Sequence, residues 1–310
     1  MSPRAVLVSG ASGFIGRAVT ARLAESGIEV VVALRRQRDI PGAARAVDAG
    51  DLAAPDPALA NAMRGVGTVI HAAGLAHRTG VNPAALAAAN VTAASRVAEI
   101  AASRGVPRFI LVSSAAVFGK TRVDVFTEAS EPRPDDSYAR SKLGGEIAVR
   151  AALAGTATRL VVVRPCAVVG PGCAGNIPRL ARLIGKGLPL PFGAIRNARS
   201  FVAIGDLTGL IDAAIRADDP PELAIAAHPE PIGTPDLIRA LARGLGRRTI
   251  LVPLPAALLG AAARAVGKAA LWQSFAGSFR ADVTIARDRL GFTAATPIET
   301  ALEMTGTALR

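Results

Sequence analysis

Apolar residues recur along this chain in short dense runs, Ala5–Val8, Glu29–Leu34, Thr68–His71, Phe109–Val112 and Thr158–Val163. Between them lie stretches with helical spacing. Val19 and Leu23, closed by Gly27, follow the first run. An Ala-rich segment from Asn90 to Arg104 follows the third, and a segment from Tyr138 to Ala152 precedes the fifth. Near-continuous apolar runs, without polar alternation, predict strands buried on both faces, and alternation with helices predicts a parallel sheet. The pattern then decays. Asn176–Ile184 reads as a helix, 187–200 as a Pro/Gly/Arg loop, and Phe201–Ile204 as a short strand before a helix from Asp206. From Pro229 come two or three helices, then Leu290-Gly-Phe292, with Pro297 opening a last helix. Two unequal domains are predicted: residues 1–168, with 200–228 packing back onto them, and a smaller unit from 169–199 and 229–310. There is no internal repeat.

The turn after the first strand reads Ser9-Gly10-Ala-Ser12-Gly13-Phe14-Ile15-Gly16. Strand, glycine turn and helix together form the unit that binds dinucleotides. Glycines let the backbone approach the pyrophosphate, and the helix start supplies amides and a positive dipole end. The fold class is therefore α/β, a Rossmann-type doubly wound parallel sheet with a smaller C-terminal mixed α/β domain for substrate. About twenty residues past these glycines, an NAD site would carry an acidic residue for the ribose 2′-hydroxyl. Here Arg35 and Arg36 stand instead. Guanidinium groups suit a 2′-phosphate, so NADP(H) is favoured, with NAD(H) as the alternative. Asp51-Leu52 would border the adenine, and small Ala72-Ala73-Gly74 would let the cofactor lie across the strand ends. His71 is read as structural, and His77 and His228 are assigned no role.

Tyr138 and Lys142 lie four residues apart on a predicted helix and so share a face. A nearby ammonium would stabilise phenolate and lower the Tyr pKa from about 10. That pair suits interconversion of an alcohol and a ketone. Tyr138 is the only Tyr in the chain, and Lys142 is one of four Lys. Ser113-Ser114 follow a strand, at the sheet edge where open α/β folds bind ligands. The Ser114 hydroxyl would donate to a substrate carbonyl there.

Bulk composition narrows the partners. The net charge is +12, carried mostly by Arg. These Arg read as evenly spread, and with 4% aromatic residues there is little to stack bases, which argues against nucleic acid. An anionic small ligand such as a nucleotide diphosphate fits better. Cys166 and Cys173 read as free thiols of a reducing compartment, with no metal-type cluster. The chain runs directly into a strand pattern, leaving no signal peptide, and Ile250–Ala263 is too short to span a bilayer. A cytoplasmic protein with no integral membrane segment is expected, although that stretch could lie against a membrane or a partner.

In order and spacing, several pieces of this chain resemble the extended short-chain dehydrogenase/reductase superfamily over nearly its whole length. They are Gly10-Ala-Ser-Gly13-Phe-Ile-Gly16, Val69-Ile-His71-Ala-Ala-Gly74, Val112-Ser-Ser114 to Gly119, Tyr138-x-x-x-Lys142, Arg164-Pro165 and Val169-Gly-Pro-Gly172. Within it the chain resembles the nucleotide-sugar branch containing UDP-glucose 4-epimerases. Its second half is similar to bacterial UDP-4-keto-6-deoxy-N-acetylhexosamine 4-reductases of surface-polysaccharide synthesis, through Gly187–Gly193, Asn197–Val202 and Pro253–Leu259 leading to Gly277–Asp282. The resemblance implies Tyr138 as acid/base, Ser114 as carbonyl polariser, and Lys142 on the phenol and the nicotinamide ribose. Pro165 would border the cofactor. Asn176 and Arg199 would hold the nucleotide diphosphate, and Asn90 would be structural. It also implies a homodimer through the helices from Asn90 and Tyr138. Two departures, the arginines at 35 and 36 and Cys166-Ala167 where 4-epimerases often carry an Asn, favour a reductase over an epimerase. A 4,6-dehydratase would need carboxylates where Ala115-Ala116 stand. A cofactor-binding sensor without turnover would have no need of a tuned phenol.

Overall fold

Eleven strands pair in the described residues of the computed structural model, which are 5–54, 57–75 and 81–310. His77 lies outside them. In chain order the strands are Val6–Ser9 (β1), Val30–Leu34 (β2), Arg45–Asp48 (β3), Thr68–His71 (β4), Arg108–Val112 (β5), Val125–Phe126 (β6), Arg159–Pro165 (β7), Ala167–Val169 (β8), Phe201–Ala203 (β9), Leu223–Ala226 (β10) and Arg280–Ala281 (β11). Seven form one sheet in the order β10-β7-β5-β4-β1-β2-β3, every pair parallel. Strand order reverses between β1 and β4, where Val8 stands opposite both Val32 and Ile70. That reversal opens the crevice in which doubly wound sheets bind ligands.

The helices are Phe14–Glu25 (α1), Pro57–Ala62 (α2), Pro83–Ala87 (α3), Ala93–Ser103 (α4), Ser137–Leu153 (α5), Asn176–Gly185 (α6), Ile204–Arg216 (α7), Thr234–Gly244 (α8), Ala256–Ala265 (α9), Ala269–Ala276 (α10), Thr284–Leu290 (α11) and Ile298–Thr307 (α12). Alternate residues of the strands feed two cores. Val6, Val8 and Val32 pack on Val19 and Leu23 of α1 and Leu207 and Ile211 of α7. Leu7, Val31, Val69 and Phe109 pack against Val97 of α4 and Val149 of α5. A third core joins Leu180 and Ile184 of α6 to Ile238 and Leu241 of α8 and Leu302 of α12, under β8 and β9. It accounts for the break in alternation after β7.

Two expectations shift: among the described residues four helices, α8 to α11, follow Pro229 before the last one, where two or three were expected, and one boundary moves. The helix read as starting at Asn90 starts at Pro83, because the Asn82 side chain accepts from the Ala84 amide at 2.9 Å and Pro83 is preset for a first turn. Between α3 and α4 the helix widens into a π turn over Ala88–Thr92 that carries Asn90.

Candidate active site

Three strand ends and one helix converge at the crevice. The turn after β1 is close-packed. Gly10 has φ +79°, and a Cβ there would sit 2.4 Å from the Ala73 nitrogen of the β4 loop. A Cβ on Gly16 would meet the Gly10 carbonyl at 2.2 Å. Only glycine fits either place. No side chain caps the start of α1, at Gly13, and no acidic residue lies in its first turn. Ser12 and Gly13 are exposed, while Phe14 and Ile15 are half-buried. An uncapped helix start behind a glycine cradle suits a dinucleotide pyrophosphate, so these residues fit that cofactor. Arg35 and Arg36 are exposed just past β2. Asp51 is exposed, its carboxylate accepting from the Ala53 amide at 3.0 Å, and Leu52 packs against the second core.

Asn90 fastens the β4 loop to α5. Its Oδ1 accepts from the Leu75 amide at 2.9 Å. Its Nδ2 donates to the Leu75 carbonyl at 3.1 Å and to Ser141 Oγ at 2.9 Å. Ser141 Oγ in turn donates to the Tyr138 carbonyl at 2.8 Å. Ala72 and Ala73 are half-buried, and a Cβ on Gly74 would strike Asn90 Oδ1 at 2.5 Å. Asp136 caps α5 through the Ala139 amide at 2.8 Å, setting Tyr138 in its first turn.

Ser114 follows β5 and caps a 3₁₀ turn by accepting from the Ala116 amide at 3.1 Å. Its side chain also hydrogen-bonds the Tyr138 phenol. Lys142 is buried, and its Nζ donates to the Val112 carbonyl at 2.7 Å. The expected depression of the Tyr138 pKa is not what this arrangement produces. Burial pushes the phenol above its ordinary value, the Ser114 hydrogen bond opposes that, and Asp136 adds to it. The ammonium is instead engaged by a strand-end carbonyl. Burial lowers Lys142 itself to about 8, against the pull of Glu146.

Sequence reasoning passed over the layer beneath. Tyr138, Lys142, Glu146 and Arg150 recur every four residues of α5 and form one stripe. Glu146 is fully buried. Its Oε1 accepts from Ser113 Oγ at 2.5 Å and Arg164 Nε at 3.0 Å, and its Oε2 accepts from Arg164 Nη2 at 2.7 Å. Arg164 also lies 4.7 Å from the centre of the Phe118 ring. The bidentate pair thus ties α5 to the ends of β5 and β7. The i, i+4 spacing was the available signal. Beside it, His71 Nδ1 shares a hydrogen bond with Ser9 Oγ at 2.8 Å, while Nε2 is buried with no hydrogen-bond partner among the described residues. Burial, with the Lys142 ammonium second, pushes this imidazole down to about 3, so it is neutral at ordinary pH.

The second-domain residues divide. Arg199 is largely enclosed, donating to the Gly277 carbonyl at 2.8 Å and the Lys120 carbonyl at 3.3 Å, with its guanidinium 5.7 Å from the Phe279 ring centre. No carboxylate pairs with it among the described residues, and burial lowers its pKa. Cys166, with a thiol pushed up to about 12 by burial, feels the Arg199 charge. Pro165 is buried at the end of β7, and Asn176 is exposed at the first turn of α6.

Residues 6–226 match the model of the NAD dependent epimerase/dehydratase family. The chain is 29% identical over 302 residues to a UDP-glucose 4-epimerase of Vibrio cholerae, covering 94% of this chain and 90% of that protein. It is 31% identical over 310 residues to a dTDP-6-deoxy-L-talose 4-dehydrogenase (NAD(P)(+)) of Kitasatospora kifunensis, covering 94% and 91%. A solved structure of MoeE5 in complex with UDP-glucuronic acid and NAD superposes with a TM-score of 0.78 at 26% identity, covering 98% of both chains. With a glycine cradle after β1 and Ser114, Tyr138 and Lys142 at the end of β5 and on α5, this chain is an enzyme of the NAD-dependent epimerase/dehydratase family, within the extended short-chain dehydrogenases/reductases.

Proposed function

We propose that the enzyme is an NAD(P)H-dependent 4-reductase of a nucleotide-linked 4-keto-6-deoxy sugar, UDP-linked, serving surface-polysaccharide synthesis. The observation that carries this reading is the Ser114–Tyr138 hydrogen bond at the end of β5, around a phenol that burial keeps protonated. A protonated phenol is the form needed to deliver a proton to the oxygen of a carbonyl being reduced. The nicotinamide cofactor, when bound, supplies the hydride. Ser114 donates to the sugar carbonyl and orients it. Lys142, joined to the end of β5, keeps positive charge beneath the phenol and reaches the cofactor ribose. Arg199, a guanidinium whose hydrogen-bond partners among the described residues are carbonyls, holds the substrate diphosphate, with Asn176 beside it.

The similarity to a 4-dehydrogenase acting on a dTDP-6-deoxy sugar supports redox chemistry at that carbon. Arg35 and Arg36 support NADP(H) over NAD(H). The enzyme acts in the cytoplasm as a homodimer through α4 and α5; no helix of the described residues is long and apolar enough to cross a membrane. The similarity to a UDP-glucose 4-epimerase supports a second reading, 4-epimerisation without net use of cofactor. Incubation with a UDP-4-keto-6-deoxy-hexosamine separates them. Stoichiometric consumption of NADPH or NADH is expected. Epimerisation of a UDP-hexose by enzyme that needs no added cofactor, with no consumption on the keto sugar, would establish the second reading instead. A lower KM for NADH than for NADPH would reverse the cofactor preference.

A further inference from the structure

The basic residues are less evenly spread than they first read. Residues 237–281 contain no Asp or Glu and seven Lys or Arg. Two of these are neutralised: Arg239 pairs with Asp236, and Arg243 pairs with Glu299 and Glu303. Arg247, Arg248, Arg264 and Lys268 are exposed and pair with no carboxylate among the described residues. They bracket residues 249–263, which carry no charged side chain, two cations on each side.

Within the bracket the usual helix pattern is inverted. In α9 only Gly260 is buried, facing Trp272 of α10, whose indole nitrogen would lie 3.0 Å from a Cβ at that position. Leu259 and Ala263 flank it on the inner side. The outer side carries Leu258, 61% exposed, with Ala261, Ala262 and Ala265. Ile250 before the helix and Val266 after it are 63% and 67% exposed. A helix that packs on a glycine and turns Leu258 to solvent leaves an apolar face that the fold does not use.

We propose that this face is a peripheral docking surface for an anionic lipid bilayer. Outward aliphatic side chains insert at the boundary of headgroups and acyl chains, while the four unpaired cations contact anionic headgroups. A second copy of the chain is a poorer occupant, since a two-fold contact would bring the same cations together. Nucleic acid is poorer still, because outward Leu, Ile, Val and Ala offer bases nothing to stack on. Docking holds the enzyme at the membrane surface while the active-site crevice, built from other elements, stays in water.

Vesicle flotation of the purified chain tests this, independently of any sugar substrate. Vesicles of phosphatidylcholine with about 30% phosphatidylglycerol, near the anionic charge of biological leaflets, are compared with phosphatidylcholine alone. Flotation with the anionic vesicles only is expected, weakening as salt rises from about 0.05 M to about 0.5 M. Leu258→Glu is expected to lower partitioning by about tenfold or more, as an exposed anion replaces an inserting side chain. Arg264→Gln/Lys268→Gln, which keeps the apolar face, is expected to lower both partitioning and its salt dependence. Absence of flotation by the wild-type chain at low salt overturns the proposal, as does flotation unaffected by Leu258→Glu. Light scattering that shows Leu258→Glu splitting an oligomer, with no vesicle binding by the wild type, overturns it in favour of a contact between copies.

Discussion

Helices α5 and α9 each break the rule that a surface helix turns apolar residues in and charge out, and they break it in opposite directions. Helix α5 buries Lys142 and Glu146 and leaves Ile147 59% exposed. Helix α9 buries a glycine and leaves Leu258 outside. Burying charge is costly unless it is paired, and here each charge has a partner: the Val112 carbonyl for Lys142, and the Ser113 hydroxyl and Arg164 guanidinium for Glu146. Exposing apolar surface is cheap for folding but leaves an adhesive face. The first inversion builds an interior device that orients a phenol, and the second leaves a surface without an intramolecular partner. Local breaches of patterning are where candidate functional features are sought, and their direction says whether to look inside or outside.

Tyr138→Phe tests the interior device most severely. Removing the proton donor without changing shape should lower kcat by about 10²- to 10⁴-fold, with cofactor affinity measured by calorimetry left near wild type. Retention of full turnover would remove Tyr138 from the chemistry. Glu146→Gln should follow in size. It leaves Arg164 buried without its counter-ion and should cost about 3–5 kcal/mol in urea unfolding. The double change Glu146→Met/Arg164→Met should recover most of that loss, since paired removal leaves no lone charge; failure to recover would mean the network acts through packing alone.

Acid should act through His71 on a smaller scale. Its ordinary pKa of 6.5 falls to about 3 in the native state, so below 6.5 the unfolded chain takes up a proton that the folded chain refuses. Stability contributed by the neutral imidazole is present above 6.5 and is lost as pH falls toward 3. Between pH 7 and pH 5 this amounts to about 2 kcal/mol. In His71→Gln the fall in urea midpoint over that interval should be correspondingly shallower; an identical fall would assign the acid sensitivity elsewhere. At the other end of the comparison, Leu258→Glu should change unfolding free energy by no more than about 0.5 kcal/mol and leave turnover unaltered. A large loss there would show that α9 is held by its outer face after all.

Much of the framework was legible because it is local. Buried parallel strands announce themselves as dense apolar runs, and Gly10 and Gly16 stand where no other residue fits. Tyr138 and Lys142 were readable as neighbours because four residues make one helical turn. The start of α3 was written in Asn82-Pro83 but masked by a more obvious Ala-rich run beyond it. What could not be read was which group a side chain meets when its partner is distant in sequence. Lys142 donates to Val112, thirty residues earlier, and Glu146 holds Arg164, eighteen residues later. The direction of the Tyr138 pKa was equally out of reach, since burial of the phenol raises it, the Ser114 hydrogen bond opposes that, and Asp136 adds to it.

The amino-acid order alone determined the strand–helix alternation, the glycine turn and the placing of Tyr138 and Lys142 one turn apart on a helix, because each depends on spacing within one or two turns of chain. Tertiary structure alone decided which charges are buried together, which hydroxyl meets the phenol, and which face of α9 remains uncovered. Those outcomes follow from desolvation and from contacts between segments, and both exist only once the sheet has brought the strand ends side by side.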